Sequence, residues 1–299
     1  DAMKFKYLVV LMATLLVACG GGNSAGPSFV PSSAPNGTQS VPASSTFCFV
    51  DDLAQPLANA TVGLASGEVI AVVADGCISL PADKSLSYAE APGFRRLTDF
   101  PSIREDVALP QGTFALWPVS GYLEHLEEVD EWSEGSFGYP SFTGYRPKSG
   151  VYTVSLPGEM TNSASTTDMS AYRTALDGLL GDASAQASNK VLFSVSTGSS
   201  ANIKIVVDPN GYRGYFEWIL SGRYITGGTL KIKSLDVLIN DPGTIRHELG
   251  HFLGVNHVID NPNRLMYRGS SEYAYATEPE IVHFRMRFLR PAGFDARKG

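Results

Sequence analysis

Between positions 247 and 257 the chain reads His247-Glu248-Leu249-Gly250-His251-Phe252-Leu253-Gly254-Val255-Asn256-His257. Residues four apart share one face of an α-helix, so His247 and His251 can aim two imidazoles at one ion. Glu248 follows the first imidazole and brings a carboxylate near that ion while staying free to move a proton. Gly254 falls where a helix would end in a left-handed residue, a conformation glycine adopts without steric cost. The chain can then turn back and deliver His257 as a third ligand. Three neutral imidazoles with a fourth position left to water describe a catalytic zinc site, whereas structural sites close the shell with four protein ligands. An inactive protein that keeps the fold, or a metal site serving other chemistry, is the alternative reading of the same residues.

Those side chains need a scaffold. Asp241-Pro242 opens the helix that carries them, with Asp241 as N-cap and Pro242 at the first helical position. Upstream, Val151–Leu156 alternates like a strand, and the apolar spacing of Met169, Tyr172, Ala175, Leu176 and Leu179 predicts a helix from Asp168 to about Leu180. Strands are expected at 191–195, 201–207, 215–220 and 229–233. A strand, a helix and then several strands imply an α/β layer with a mixed sheet. Before it, short strands at 46–50, 60–64, 69–73 and 77–80 are split by Asp51-Asp52, Ser66-Gly67 and Asp75-Gly76. That spacing is the pattern of a small β-sandwich. The expected fold is therefore a mixed α/β (α+β) catalytic domain at 118–299, with its core at about 150–292, behind a small all-β module at 47–117. The run from Glu124 to Glu134 is strongly acidic and includes His125. It reads first as a solvated helix or loop face, with a metal or calcium site as the alternative.

The 299 residues carry a formal net charge of −7, which argues against nucleic acid as a partner. Met3 reads as a start, Lys4 and Lys6 as a basic leader, and 7–17 as an apolar run too short to span a bilayer. The run ends in Leu16-Val17-Ala18-Cys19, which resembles a bacterial lipobox. The resemblance implies a signal peptide at 1–18, a lipid on Cys19 as the membrane anchor and, with Gly20 following, an outer-membrane or cell-surface location. Residues 20–46 are rich in Gly, Ser, Pro, Ala and Asn and cannot bury enough apolar surface to order themselves, so 19–46 reads as a tether. Cys48 and Cys77 remain. An oxidising compartment favours a disulfide between them; two buried thiols, or one thiol acting on a metal, are the alternatives.

His-Glu-x-x-His-x-x-Gly-x-x-His is the signature by which the chain resembles the metzincin zinc peptidases. Leu265-Met266-Tyr267, nine residues past His257, is similar to their methionine turn, with Met266 beneath the metal; the Met-Tyr order looks most like the matrixin branch. Arg268 stands where some branches place a tyrosine, so no tyrosine ligand is carried over. The resemblance covers about 150–292 and implies one catalytic Zn2+ on His247, His251 and His257. It also implies Glu248 as the proton carrier and a protein or peptide as substrate. By the same likeness Tyr215, Phe216, Glu217, Trp218, Ile219 and Leu220 form the substrate-binding edge strand, Gly227-Gly228 leads into the next strand, and 260–264 links His257 to the turn. Thr277 and Glu280 read as the capping box of a last helix that stops before Pro291, with His283 structural inside it. No cysteine switch is visible upstream, and calcium or a second zinc has no placed site. The module resembles carboxypeptidase-regulatory-like or transthyretin-like domains through 55–62, 75–80 and Ala91-Pro92-Gly93-Phe94. The expectation is a surface-tethered metalloendopeptidase; the competing one is a binding or adhesion lipoprotein with a vestigial peptidase fold.

Overall fold

The computed structural model describes residues 44–101, 106–121, 145–157, 169–197, 200–258, 261–267 and 275–292. The expected signal peptide, Cys19 and the acidic run 124–134 lie outside the described residues, as do Arg268 and most of the tether. Among the described residues no helix is long and apolar enough to cross a membrane.

Among the described residues the architecture is mixed α/β, with three sheets and few helices. In the largest sheet β8 (Gly150–Ser155), β9 (Val191–Ser196), β10 (Ile203–Val207) and β12 (Tyr224–Ile232) run parallel, and β11 (Gly214–Ser221) lies antiparallel on β12. The order is β11-β12-β10-β8-β9, and the two-residue β7 (Arg146–Pro147) pairs with the start of β12. Adjacent parallel strands need a crossover, and between β8 and β9 it is helix α1 (Ser170–Gln186). This helix runs past the expected end near Leu180 because its apolar stripe continues: Leu176, Leu179, Leu180 and Ala183 are all buried. Under it Val154, Ile203, Ile205, Leu230 and Ile232 are 0% exposed.

Two expectations are corrected. Gly227 and Gly228 lie inside β12 and do not lead into it. A Cβ on Gly227 would sit 2.3 Å from the Asn202 carbonyl oxygen, and one on Gly228 would sit 2.4 Å from that of Glu217. Close backbone approach, which only glycine allows, explains the pair. Second, Asp241 and Pro242 do stand at the N-cap and the start of the helix as expected, but the Asp241 carboxylate bonds to no backbone N–H. It takes the Thr244 hydroxyl and pairs with Arg213.

After a short helical turn, α2 (Val237–Asn240), helix α3 (Pro242–Phe252) packs on the sheet. Ile245, Leu249 and Phe252 fall on one stripe and are 0–1% exposed. The Phe252 ring meets Tyr152, Phe193 and Phe216 with centroids 5.0, 5.5 and 5.8 Å away. Truncating a ring so enclosed costs roughly 3–5 kcal/mol. At 100° per residue the opposite side of the helix presents His247 and His251.

The other two sheets are three-stranded. One is β4-β1-β6, from β1 (Ser44–Val50), β4 (Cys77–Pro81) and β6 (Thr113–Ala115). The other is β3-β2-β5, from β2 (Thr61–Leu64), β3 (Val69–Ala71) and β5 (Leu86–Glu90). Phe49, Val62, Ala89, Leu97 and Leu116 belong to a core of their own. Cys48 and Cys77, directly opposed on β1 and β4, are joined by a disulfide. Both sulfurs are thereby taken, and neither is a thiol for a metal.

All described residues fall within one compact unit. A seam joins these small sheets to the last helix, α4 (Glu278–Leu289): Val50, Ala115 and Trp117 pack with Val282, Met286 and Leu289. Arg285 of α4 meets Asp52 at 3.0 Å. Arg146, itself 0% exposed, reaches the Asp106 carboxylate and carbonyl, each at 2.8 Å. Burial would push the Asp106 carboxyl up, but hydrogen bonds from Arg146 and Ser149 hold it below its ordinary value.

Candidate metal centre

The end of α3 fixes the third histidine. Val255 N–H bonds to Gly250 C=O at 3.1 Å and Gly254 N–H to His251 C=O at 2.9 Å. This is the paired pattern of a Schellman turn, which needs a left-handed residue at the position Gly254 occupies. Its φ is +88°, and a Cβ there would lie 1.9 Å from the Tyr145 carbonyl oxygen. Glycine is thus required twice, by torsion and by space. The chain then doubles back, and a Val258 N–H to Met266 C=O bond of 2.7 Å pins the residue after His257 to the loop beyond it.

His247, His251 and His257 converge, with ligand atoms all within 4.8 Å of one another. The Nε2 atoms of His251 and His257 are 3.2 Å apart. The far nitrogens of two rings are engaged: Nδ1 of His247 donates to Leu265 C=O at 2.6 Å, and Nδ1 of His251 to Val255 C=O at 2.8 Å. A proton on Nδ1 leaves the Nε2 lone pair facing the cluster, the arrangement by which backbone carbonyls set the tautomer of metal-binding histidines. Burial lowers the pKa of His247. Burial, then repulsion from His247 and His257, puts that of His251 well below the ordinary value. Both rings are neutral near pH 7, the ligating state. The three histidines could hold a metal ion.

Glu248 lies beside them, 6% exposed. Burial pushes its carboxyl up to about 8, opposed by a hydrogen bond from the Phe216 backbone. It rests against β11 at Gly214, where a Cβ would come within 2.9 Å of Oε1. The expected edge strand does stand at the edge of its sheet, but its six named residues part ways. Phe216 is buried against Phe252. Trp218 turns toward α3, its indole N–H donating to His251 C=O at 3.1 Å. Tyr215, Glu217 and Ile219 are exposed, with Glu217 paired to Lys231.

Met266 is 0% exposed beneath the helix. A Cβ on Gly250 would lie 2.4 Å from its sulfur, so a glycine between His247 and His251 admits the thioether to the helix backbone. On the outer flank Arg246 pairs with Asp182 of α1 and lies 4.2 Å from the Tyr275 ring. His283 lies away from the cluster, 0% exposed against Trp117. Reading the sequence missed Gly214, Gly250 and the Trp218 bond. It also recognised Glu280 only as a cap, although Glu280 accepts backbone hydrogen bonds from Leu265 and Met266 as well.

No family model matches the sequence, and no curated protein matches it. Among solved structures, a chain described as the GM1 bound form of the ECX AB5 holotoxin aligns with 13% identity and a TM-score of 0.32, covering 48% of this chain and 81% of that one. A likeness that slight carries no argument about fold or function.

Proposed function

We propose that the chain is a zinc-dependent metalloendopeptidase with a metzincin-like catalytic domain behind a small all-β module, held at the bacterial cell surface by a lipid on Cys19. The observation that carries the activity is the convergence of three imidazoles beside a buried carboxylate, two of them on a helix and the third delivered by the glycine turn that ends it. His247, His251 and His257 would hold the ion. When bound, zinc supplies the Lewis acidity that polarises a scissile carbonyl and acidifies water.

The chain's own groups do the rest. Beside a bound cation, whose charge would offset the burial that raises its pKa, Glu248 would take a proton from the attacking water and hand it to the leaving amine. Backbone contact with β11 positions its carboxylate. Among the described residues β11 ends the sheet, and such an edge can take an extended peptide by backbone pairing, a mode largely blind to side chains. Trp218, 37% exposed and tied to His251, forms a wall beside the ligands.

The test compares wild type with Glu248→Ala, measuring zinc content and cleavage of casein or a broad peptide library. One zinc per chain, with cleavage lost in the variant and in chelator, supports the proposal. Zinc without cleavage by either protein favours a binding lipoprotein. No zinc overturns the site.

A further inference from the structure

Glu280 is 0% exposed, a position a carboxylate tolerates only when its lone pairs are engaged. Four donors engage them. Oε2 accepts the Thr277 N–H and hydroxyl at 2.7 Å each and the Leu265 N–H at 3.2 Å; Oε1 accepts the Met266 N–H at 2.7 Å. The Thr277 contacts close the capping box of α4. The other two reach the loop behind the metal centre.

Met266 N–H and Leu265 C=O are opposite ends of one planar peptide group. Glu280 holds the N–H end at 2.7 Å, and His247 Nδ1 holds the C=O end at 2.6 Å. A charged acceptor, a peptide and an imidazole thus stand in series. Hydrogen bonds in series polarise one another, and a partner on the far nitrogen of a ligand histidine fixes its ring and raises its basicity. A loop anchor alone would need no charge.

We infer that Glu280 is a positioning residue for His247, acting through the Leu265–Met266 peptide to fix the ring's tautomer and strengthen Nε2 as a metal ligand. This rests on the reading of His247 as a ligand. Nothing in a capping box requires it, since the Thr277 contacts alone would complete the helix start.

The experiment measures zinc affinity of the purified protein by competition with a chelator, together with 15N spectra of the histidine rings. It compares wild type, Glu280→Gln and Met286→Ala, the last a cavity in the same helix that leaves Glu280's contacts alone. Glu280→Gln should weaken zinc roughly 10–100-fold, while Met286→Ala lowers Tm but keeps affinity within about threefold. Unchanged affinity in Glu280→Gln overturns the inference, as does an equal loss in Met286→Ala. A wild type that binds no zinc counts against the metal site itself, and the spectra then decide the relay. A single Nδ1–H tautomer of His247 in wild type that becomes mixed in Glu280→Gln supports it; one tautomer in both overturns it. Should Glu280→Gln fail to fold, Glu280→Asp replaces it with the same readouts, since the shorter side chain keeps the charge but withdraws it from Met266.

Discussion

The carbonyl oxygen of Tyr145 stands 1.9 Å from where any Cβ of residue 254 would be. The strand that follows Tyr145 and the turn that delivers His257 are therefore packed backbone to backbone. Gly254→Ala must leave the left-handed region, at about 1–2 kcal/mol, and also push Tyr145 away. The expected outcome is a lower midpoint in urea and weaker zinc binding, because the displaced turn carries His257. Zinc competition and equilibrium unfolding check both.

Glu248→Gln keeps the shape of the side chain and removes its capacity to accept a proton. Hydrolysis should fall by roughly 10²–10⁴-fold, with zinc content unchanged. Steady-state kinetics beside metal analysis test this. Normal turnover in the glutamine variant would remove Glu248 from the mechanism.

His283 makes stability pH-dependent. The ring is 0% exposed, and among the described residues neither nitrogen has a hydrogen-bond partner. Burial, then the nearby Arg287 charge, holds its pKa well below the ordinary histidine value of 6.5. The unfolded chain gains a proton there as pH falls through about 6.5, and the folded chain does not. Stability from this group is complete above 6.5 and declines on acidification toward the depressed folded value. Unfolding free energies between pH 7.5 and about 5 should show that slope, and His283→Leu should reduce it while leaving stability at pH 7.5 similar or higher.

The Cys48–Cys77 bridge closes a loop with a sequence separation of 29. In the chain-entropy description a loop of that size stabilises by roughly 3–4 kcal/mol. Reductant should lower Tm by about 5–10 °C. Zinc content should be unchanged at 25 °C, because the bridge joins β1 and β4 of a small sheet, whereas the three histidines stand on α3 and the chain just after it. Calorimetry with and without reductant checks it.

What the sequence discloses here is what lies close together in the chain. His247, Glu248 and His251 sit within two turns of one helix, and Gly254 and His257 follow at once, so spacing alone placed them. Thr277 and Glu280 were legible as a cap for the same reason. Contacts across the chain left no periodic signal. Gly214 beside Glu248, Gly250 over Met266 and the approach of β12 to its neighbours at Gly227 and Gly228 all look like ordinary glycines until the partners are known. Arg146 and Asp106 are 40 residues apart, and no local pattern pairs them. Glu280 hid best, because its capping role was a sufficient explanation for it.

The position of α4 in the chain has a consequence for the order in which the molecule matures. Synthesis runs from the N-terminus, so a nascent chain that has emerged as far as Tyr267 already holds all three histidines and Glu248. It does not yet hold the carboxylate that grips the peptide behind His247, or the helix that locks onto the small sheets. Made after all three histidines, α4 supplies the support behind the Leu265–Met266 peptide, so a chain stopped at Tyr267 has the histidines without the carboxylate that steadies His247.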